Sequence, residues 1–450
     1  MIDRSSMPAI GVLKDVLFPS FREYTHVSGL KSLFIKDDRF PVITCRLLFK
    51  SGSYCDFFRK GKSGLATLTA EMLNKGTLKK TNDEITRLID FNGALISTGA
   101  GYDASYISFS CLKKNFDVMF GLVSELVGES VFPEDELTQK RNQIISSLIS
   151  LQDEGAYLAE RAFYSALYEG TPYETDPDGT PDSLKNIKRD DVVEFKNENY
   201  VPSNMILCVV GDFDEDKVIK AADRNFTGGD MKIPVNGFEF RGKHPGRRVY
   251  IAEKKDAKQA SLHIGHAGIH RGHPDFVKTM FLNALFGGMF TSRINKNLRE
   301  EKGLTYGART SFNCLKHSGD FSVETEVNGD KSGLAVREII KEMNDMRENP
   351  VSDKELESAK SYISGNFPLQ LETSNSVAGK LLSLELYGAK KDFYDHYLST
   401  INSLTADDVT ETARKYFRPD ELIIAAAGSR LDLAEQLKEF GDSEFIDKVK

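Results

Sequence analysis

The sequence predicts an α+β protein of two homologous domains, each with a mixed or antiparallel sheet flanked by helices. Three observations support this prediction. The chain of 450 residues repeats itself once, each copy reads as strands followed by paired helices, and a Gly/Pro-rich stretch separates the copies. A chain of this length exceeds one ordinary domain. Because a solenoid needs at least three short repeats, two long copies indicate duplicated domains.

The clearest repeat joins Ile187–Asp212 and Leu404–Ser429, which align without a gap at an offset of 404 − 187 = 217. In each copy an Asp-Asp pair opens a short helix, an aromatic residue closes it, and a proline then interrupts the chain. The apolar runs that follow, Met205–Val210 and Leu422–Ala427, predict buried strands ending at glycine. The identical pairs are Asp190 and Asp407, Asp191 and Asp408, Val192 and Val409, Glu194 and Glu411, Pro202 and Pro419, and Gly211 and Gly428.

A second match lies upstream in each copy. Glu136–Leu137 corresponds to Glu355–Leu356 at an offset of 355 − 136 = 219, and both dipeptides open a long helical stretch. Between the copies, Thr227–Arg247 is dense in glycine and proline, which is typical of an inter-domain linker. We therefore predict an N-terminal domain over 1–228, a linker over 229–248 and a C-terminal domain over 249–450.

Within the first half, hydrophobic periodicity predicts the elements one by one. Val42–Phe49 and Ser105–Leu112 alternate as strands do, whereas Leu65–Leu73 and Asn82–Phe91 have helical spacing, with Gly76 as a stop for the former. The long helical region Asp135–Tyr168 is expected to break near residues 153–155.

The composition excludes several classes of protein. No run of eighteen apolar residues predicts a membrane-spanning helix, and a net charge of −8 disfavours nucleic acid as the main partner. Residues 1–14 show neither a secretory leader nor a transit peptide, so we expect a cytoplasmic protein, or a periplasmic one if the start lies elsewhere. The scattered cysteines predict buried free thiols; they are Cys45, Cys55, Cys111, Cys208 and Cys314.

Three stretches resemble the signatures of the pitrilysin/insulinase metallopeptidases, which include the mitochondrial processing peptidases. Gly52–Thr77 resembles the stretch G-x-A-H-x-x-E-H-x-x-x-K-G-T, and Leu137–Tyr173 resembles the helix that carries the distal zinc ligand. Leu282–Ser311 resembles the second-half signature L-G-G-x-x-S-R-L-x-x-x-L-R-x-x-x-G-x-x-Y. The resemblance covers nearly the whole chain, and it implies half of a clam-shell that encloses a chamber.

The residues for zinc chemistry are absent from the positions where the resemblance puts them. In an H-x-x-E-H helix two histidines bind zinc, the glutamate accepts a proton from the zinc-bound water, and a distal glutamate completes the ligands. Here the histidines fall on Thr67 and Glu71, the base on Ala70 and the distal ligand on Ser147. Three of these side chains are poor replacements for zinc ligands, and no H-x-x-E-H or H-E-x-x-H occurs elsewhere. We therefore expect no metal in this chain.

A cluster of histidines offers an alternative metal site: His263, His266, His270 and His273. In a strand, the first two side chains would point to opposite faces, and no carboxylate intervenes before Asp275. We expect scattered histidines of a strand and the following loop.

The second-half signature is kept. Arg299 and Tyr306 match the pair that, in the family, reaches towards the zinc and stabilises the substrate carbonyl; the alternative is an exposed helix charge and the start of a strand. Gly287 and Gly288 are predicted either to bind substrate in a loop facing the chamber or to end a helix.

The pattern suggests a division of labour between two chains, which the resemblance makes familiar. We expect a zinc-free subunit that supplies Arg299 and Tyr306 to a paralogous partner bearing H-x-x-E-H and zinc, together forming a heterodimer that cleaves peptides. Peptides would add as a strand to a sheet edge. A structural or substrate-presenting subunit is the second hypothesis. A free-standing peptide-binding protein or another enzyme is the third, and no nucleophile elbow, P-loop or dinucleotide fingerprint supports it.

Overall fold

Two sheets form the framework of the protein. The computed structural model describes residues 16–228 and 246–446, and all bounds refer to these residues. Six strands before residue 229 form one sheet, and six after residue 245 form the other. The strands are β1 Arg22–Thr25, β2 Lys31–Lys36, β3 Val42–Phe49, β4 Leu95–Ala100, β5 Ser105–Leu112, β6 Met205–Gly211, β7 Arg248–Glu253, β8 Gln259–Ala267, β9 Ala308–Cys314, β10 Gly319–Asn328, β11 Ile423–Gly428 and β12 Ser443–Ile446.

Helices flank both sheets in the described part of the chain. Two π-helical turns interrupt the second half: the first π-turn is Ala284–Gly288 and the second π-turn is Lys296–Glu301. The α-helices are α1 Leu65–Glu71, α2 Asn82–Phe91, α3 Phe116–Glu129, α4 Glu134–Leu151, α5 Gly155–Leu167, α6 Pro181–Asn186, α7 Arg189–Asn199, α8 Glu215–Asn225, α9 Phe276–Asn283, α10 Arg293–Asn295, α11 Ser332–Glu348, α12 Asp353–Leu369, α13 Ser374–Leu386, α14 Phe393–Ser403, α15 Ala406–Tyr416 and α16 Arg430–Leu437.

The two sheets share one topology, which confirms the predicted fold class. The first has the order β1-β2-β6-β3-β5-β4 and the second β12-β7-β11-β8-β10-β9. In both, a parallel pair, β2 with β6 or β7 with β11, is continued by three further strands that are antiparallel to their neighbours. The sheets differ in the first strand of each order, since β1 runs antiparallel to β2 whereas β12 runs parallel to β7.

Most elements predicted in the first half have the predicted bounds. The strands at 42–49 and 105–112 and the helix at 82–91 agree at both ends. The helical region from Asp135 is divided into α4 and α5 by a turn at residues 152–154, as expected. The helix predicted over 65–73 is shorter: it ends at Glu71, and turns lead from there to Gly76.

The predicted linker cannot be compared in full with the structure. Residues 229–245 lie outside the described residues, as do residues 1–14, which bear on a leader. The strand β7 begins at Arg248, so the last residue predicted as linker belongs to the second sheet. No helix of the described residues is long and apolar enough to cross a membrane.

Each half covers the sheet of the other with one helix. The helix α5, from the first half, packs across β7, β8 and β11 of the second sheet. The helix α13, from the second half, packs across β3 and β6 of the first. The two helices occupy equivalent places in the repeat, since 374 − 155 = 219 separates their first residues. The exchange therefore makes one folding unit of the two halves.

Small and apolar residues permit these crossings. A Cβ atom at Gly155, at the start of α5, would lie 2.6 Å from the Ser261 hydroxyl of β8. Further along α5, Ala159 packs with Ala252 and Ala427 in a buried cluster. On the opposite side, Leu381 and its apolar neighbours on α13 lie in one core cluster with residues of β2, β3 and β6.

Buried carboxyl groups fix the seam between the halves. The Tyr168 hydroxyl donates to Asp320 over 3.1 Å, and the Tyr173 hydroxyl donates to Asp103 over 2.5 Å. Asp103 also accepts a bond of 2.9 Å from the Lys316 backbone amide. Burial raises the pKa of both carboxyl groups, that of Asp320 to about 8. Asp320 is therefore largely protonated in the folded protein near neutral pH.

We predict that Phe163→Ala on α5 lowers the free energy of unfolding by about 3–5 kcal/mol, because the variant leaves a cavity beneath α5. The Phe163 side chain is fully buried, and its ring centre lies 4.5 Å from that of His263 on β8. Urea unfolding followed by circular dichroism measures the change. Phe91→Ala, at a site 89% exposed, is the matched control and should change it by at most about 0.5 kcal/mol. Two separate transitions, of which only one shifts, would contradict a single folding unit.

We predict that Asp320→Asn changes how stability depends on pH. The folded pKa of Asp320 lies far above the ordinary value for Asp, so its contribution is full below pH 4 and is lost as the pH rises through 8. The variant lacks this loss. Its melting temperature relative to wild type should rise between pH 5 and pH 9, whereas the exposed control Asp90→Asn should show no such trend. A difference independent of pH would refute the assignment.

Candidate functional site

The first half holds the positions that the family resemblance assigns to the zinc ligands and the base, and the side chains there have other surroundings. The Thr67 hydroxyl on α1 donates to the Pro177 carbonyl over 2.7 Å. Ala70 is fully buried, and the Glu71 carboxylate lies 3.2 Å from the ammonium of Lys140 on α4. Ser147 is exposed on α4.

These residues do not fit a zinc ion. Zinc sites in proteins are built from imidazole, thiolate and carboxylate ligands, and here Lys140 brings a positive charge to the one carboxylate. Asp178 lies nearby; burial, together with the charges of Asp176 and Glu71, raises its pKa to about 6. Within residues 16–228 and 246–446, no group of three or more His, Cys, Asp or Glu side chains is arranged to hold a metal ion.

The four clustered histidines are divided between a strand and a loop. His263 and His266 lie on β8, where His263 contacts aromatic rings of α5 and His266 contacts Phe321. The His266 ring also accepts a bond of 3.1 Å from the Arg418 amide. His270 and His273 follow in the loop. The strand thus directs the two buried rings to different surroundings.

The second half contains a cavity of about 590 Å³, a size typical of ligand sites. Its wall consists of β8, β9 and β10, the two π-turns and the beginning of α5. Four residues predicted for the site line it together: Arg299, Tyr306, Gly287 and Gly288. The structure therefore brings these residues into one place.

The guanidinium of Arg299 is available to a ligand. Arg299 belongs to the second π-turn and is partly buried, with its Cζ atom 4.4 Å from the centre of the Phe290 ring. In the described part of the chain, Arg299 forms no ion pair and no hydrogen bond through its side chain. A cation–π contact orients a guanidinium without occupying its N–H donors. Arg299 therefore lies along the cavity wall with its N–H donors available.

Two asparagines hold the backbone around Arg299. Asn295 immediately precedes the second π-turn, and its side chain accepts a bond of 2.9 Å from the Ala308 amide, which ties the start of that turn to β9. Asn297 donates to Glu338 and Glu342 on α11 over 2.9 and 2.7 Å. Turns of π-helix are rare and frequently occur at functional sites. Sequence reasoning missed both asparagines, although their positions within the matched signature were a signal.

Tyr306 projects from a loop that is anchored on both sides. The side chain is 95% exposed, so its hydroxyl is free to reach a ligand or a partner. Next to it, the Thr305 hydroxyl accepts a bond of 3.1 Å from the Gly307 amide. The Thr325 hydroxyl of β10 lies 3.1 Å from that of Thr305. The backbone that carries Tyr306 is therefore fixed while the ring is exposed.

The reason for glycine differs between positions 287 and 288. A Cβ atom at Gly287 would lie 2.3 Å from the Thr310 side chain of β9, so glycine permits the first π-turn to touch the sheet. A Cβ atom at Gly288 would lie 2.9 Å from the Asn283 side-chain amide, which can move, and 3.1 Å from the Asn283 carbonyl oxygen, a tight contact but a longer one than those at Gly287. Gly287 is buried and Gly288 exposed. Sterics alone thus account for Gly287.

Carboxylates form another part of the cavity wall, which sequence reasoning also missed. Glu324 and Glu326 lie on β10, and Glu160 lies on α5. Partial removal from water raises the pKa of Glu160 and of Glu324. The charge of Arg161 opposes the shift of the Glu160 pKa while that of Glu324 adds to it, and the charge of Arg309 opposes the shift of the Glu324 pKa. The alternation of Glu324 and Glu326 along a strand was the available signal.

Two family profiles match the chain. Residues 33–177 match "Insulinase (Peptidase family M16)", and residues 186–363 match "Peptidase M16 inactive domain". The chain belongs to the insulinase family, M16. The first profile covers most of the first half, and the second begins within the first half at residue 186 and extends over the cavity residues of the second half up to residue 363.

Relatives agree with this assignment over most of the M16 chain. A protein of Rickettsia felis described as an uncharacterized zinc protease is 25% identical over 83% of this chain and 90% of its own. The "non-peptidase homolog YmxG" of Helicobacter pylori is 23% identical over 87% and 90%. A crystal structure described as a peptidase M16 inactive domain from Pseudomonas fluorescens has the same fold, with a TM-score of 0.82 at 24% identity over 91% and 98%.

We predict that Gly287→Ala destabilises this M16 chain by about 1–3 kcal/mol, because the added methyl group collides with Thr310. Thermal unfolding measures the effect. Gly288→Ala is the matched control, and it should cost less, since the Asn283 side chain can turn away and the nearest backbone atom, the Asn283 carbonyl oxygen, would be 3.1 Å distant. Equal melting temperatures for wild type and Gly287→Ala would disprove the steric reason.

Proposed function

We propose that this chain is the zinc-free subunit of a heterodimeric M16 peptidase and that it supplies Arg299 and Tyr306 to the active site of its partner. One observation carries the proposal: both side chains line one cavity, and neither has a competing carboxylate among the described residues. The partner is a paralogous chain with the H-x-x-E-H motif, and together the two chains cleave peptides.

The two side chains suit the stabilisation of negative charge on a carbonyl oxygen. The Arg299 guanidinium and the Tyr306 hydroxyl each donate hydrogen bonds, and donors aimed at a developing oxyanion lower the barrier most where water is excluded. The Phe290 ring restricts the guanidinium before substrate arrives, so less freedom is lost on binding. A zinc ion bound by the partner would supply the activated water.

An unpaired sheet edge supports a peptide as the substrate. The strand β9 is the last in its sheet and pairs with β10 alone among the described strands. Two of its residues, Ala308 and Arg309, line the cavity. An extended peptide that adds to β9 would use backbone hydrogen bonds and would bring its carbonyl groups past Arg299.

A structural or substrate-presenting role is the second candidate. The first-half positions lack a ligand set for zinc, and a relative in Helicobacter pylori is described as a non-peptidase homolog. In that role the chain would bind its partner without contributing to catalysis. The two proposals differ in what removal of Arg299 does to cleavage by the assembled pair.

We predict that Arg299→Ala lowers kcat of the mixed pair about 10²- to 10³-fold, as for loss of an oxyanion donor, and that Tyr306→Phe also lowers it. A quenched-fluorescence peptide is offered to the purified chain, to its H-x-x-E-H relative from the same organism, and to the mixture. Arg87→Ala, at an exposed position on α2, is the control that changes the same charge elsewhere.

Each outcome decides between the candidates. The split site is supported if only the mixture cleaves the peptide, and if a mixture made with Arg299→Ala loses this activity whereas one made with Arg87→Ala keeps it. Full activity of Arg299→Ala in the mixture supports the presenting role. Cleavage by this chain alone with bound zinc would overturn both.

A further inference from the structure

The cavity contains three carboxylates without a cationic partner. Glu160, Glu324 and Glu326 line it, and among residues 16–228 and 246–446 none of them takes part in an ion pair, although the charges of Arg161 and Arg309 act on Glu160 and Glu324 respectively. The Ser261 hydroxyl donates a hydrogen bond of 3.0 Å to Glu326. Carboxylates in a concave wall repel each other, and a bound cation relieves the repulsion.

A buried histidine faces the same cavity with an unused nitrogen. His263 is 2% exposed, lines the cavity, and its Nε2 atom has no hydrogen-bond partner. Burial lowers the pKa of His263 to about 3, so the ring is neutral and one ring nitrogen can accept a hydrogen bond. A buried polar atom left without a partner carries a free-energy cost that a ligand donor would remove.

Strand register puts these groups on one face of the second sheet. Glu324 on β10 lies opposite His263 on β8 and opposite Arg309 on β9. Directly opposed residues of antiparallel strands share a face, and the helix α5 with Glu160 covers that face. The charge of Arg309 lowers the pKa of Glu324 from a distance, but Arg309 forms no ion pair with it in the described chain. The acidic wall therefore remains short of positive charge.

The cavity thus has two complementary parts. Among the described residues, Arg299 and Tyr306 offer side-chain hydrogen-bond donors that no acceptor occupies, whereas Glu160, Glu324 and the His263 ring offer acceptors that no donor occupies. A peptide that carries both a carbonyl oxygen and an ammonium or guanidinium group satisfies both parts. A divalent metal ion does not suit the acidic part, because no metal-binding group of three such side chains exists in the described residues.

We propose that Glu160, Glu324 and Glu326, with His263, form a subsite for the cationic group of a peptide, either a lysine or arginine side chain or a free terminal amine. The inference rests on the proposed function, since it names the substrate class of that same cavity. Charged partners that are desolvated at an interface contribute most to discrimination between ligands.

The test uses matched peptides with the assembled pair. Each peptide is acetylated and amidated at its ends and carries one lysine at a successive position, with norleucine in place of lysine as the neutral twin. We expect lysine at one or two positions to raise kcat/KM about tenfold over norleucine. A norleucine peptide with a free amino terminus separates the two sources, because it gains only if the subsite takes the terminal amine.

Variants of the acidic wall test its role. Glu324→Gln and Glu160→Gln should each reduce the preference for lysine over norleucine, and Glu324→Lys should reverse it in favour of glutamate at the same position. Glu301→Gln is the matched control, because it removes an exposed carboxylate close to Arg299 that does not line the cavity. It should leave the preference as in wild type.

Failure of this inference is distinct from failure of the proposed function. If the pair cleaves lysine and norleucine peptides equally at every position, and the free-amine peptide no better, while Arg299→Ala abolishes cleavage, the subsite is refuted and the split site stands. If the pair does not cleave, fluorescence anisotropy with this chain alone decides the matter. Tighter binding of the lysine or free-amine peptides, lost in Glu324→Gln, supports the subsite, and equal binding of all peptides overturns it.

Discussion

The rest of the structure depends on the exchange of α5 and α13 between the two sheets. Each sheet has a broad apolar face. The helix α13 of the second half covers that face of the first sheet, and the helix α5 of the first half covers that face of the second sheet. Without the exchanged helix, that face of each sheet would be exposed to water, at a cost in hydrophobic free energy. Because α5 also carries Glu160, the same packing that joins the halves builds one wall of the cavity. Stability and the candidate site are therefore coupled through a single helix.

The two halves repeat one topology but differ in chemistry. On α1, a threonine hydroxyl bonded to a backbone carbonyl and a glutamate paired with Lys140 replace potential metal ligands. In the second half, Asn295 and Asn297 hold the backbone of the π-turn that carries Arg299. The Arg299 guanidinium itself is bonded to no carboxylate of the described residues, so its donors remain available in the cavity. Thr67 and Glu71 of the first half thus already have partners within the chain, whereas Arg299 of the second half can bind a ligand.

An open guanidinium and unpaired carboxylates can coexist in one cavity because they are mounted on different elements. Arg299 is held over Phe290 at the end of one loop, whereas Glu324 is fixed on a strand and Glu160 on a helix. Partners that could collapse onto each other would form internal ion pairs and lose their capacity to bind. Rigid supports keep the charged side chains apart. These side chains are partly removed from water without an internal partner, so a ligand of the opposite charge can bind them favourably.

Much of this architecture follows from sequence alone. The repeat, the strands at 42–49 and 105–112, the division between α4 and α5, and the absence of an H-x-x-E-H motif are local patterns of hydrophobicity and residue type. The signature with Arg299 and Tyr306 also lies in one contiguous stretch. Only the tertiary structure decided that α5 and α13 each pack on the sheet of the other half, and that Glu160, His263 and Glu324 line one cavity. Those contacts join residues far apart in the chain, and strand register and helix packing, which set them, have no local signal.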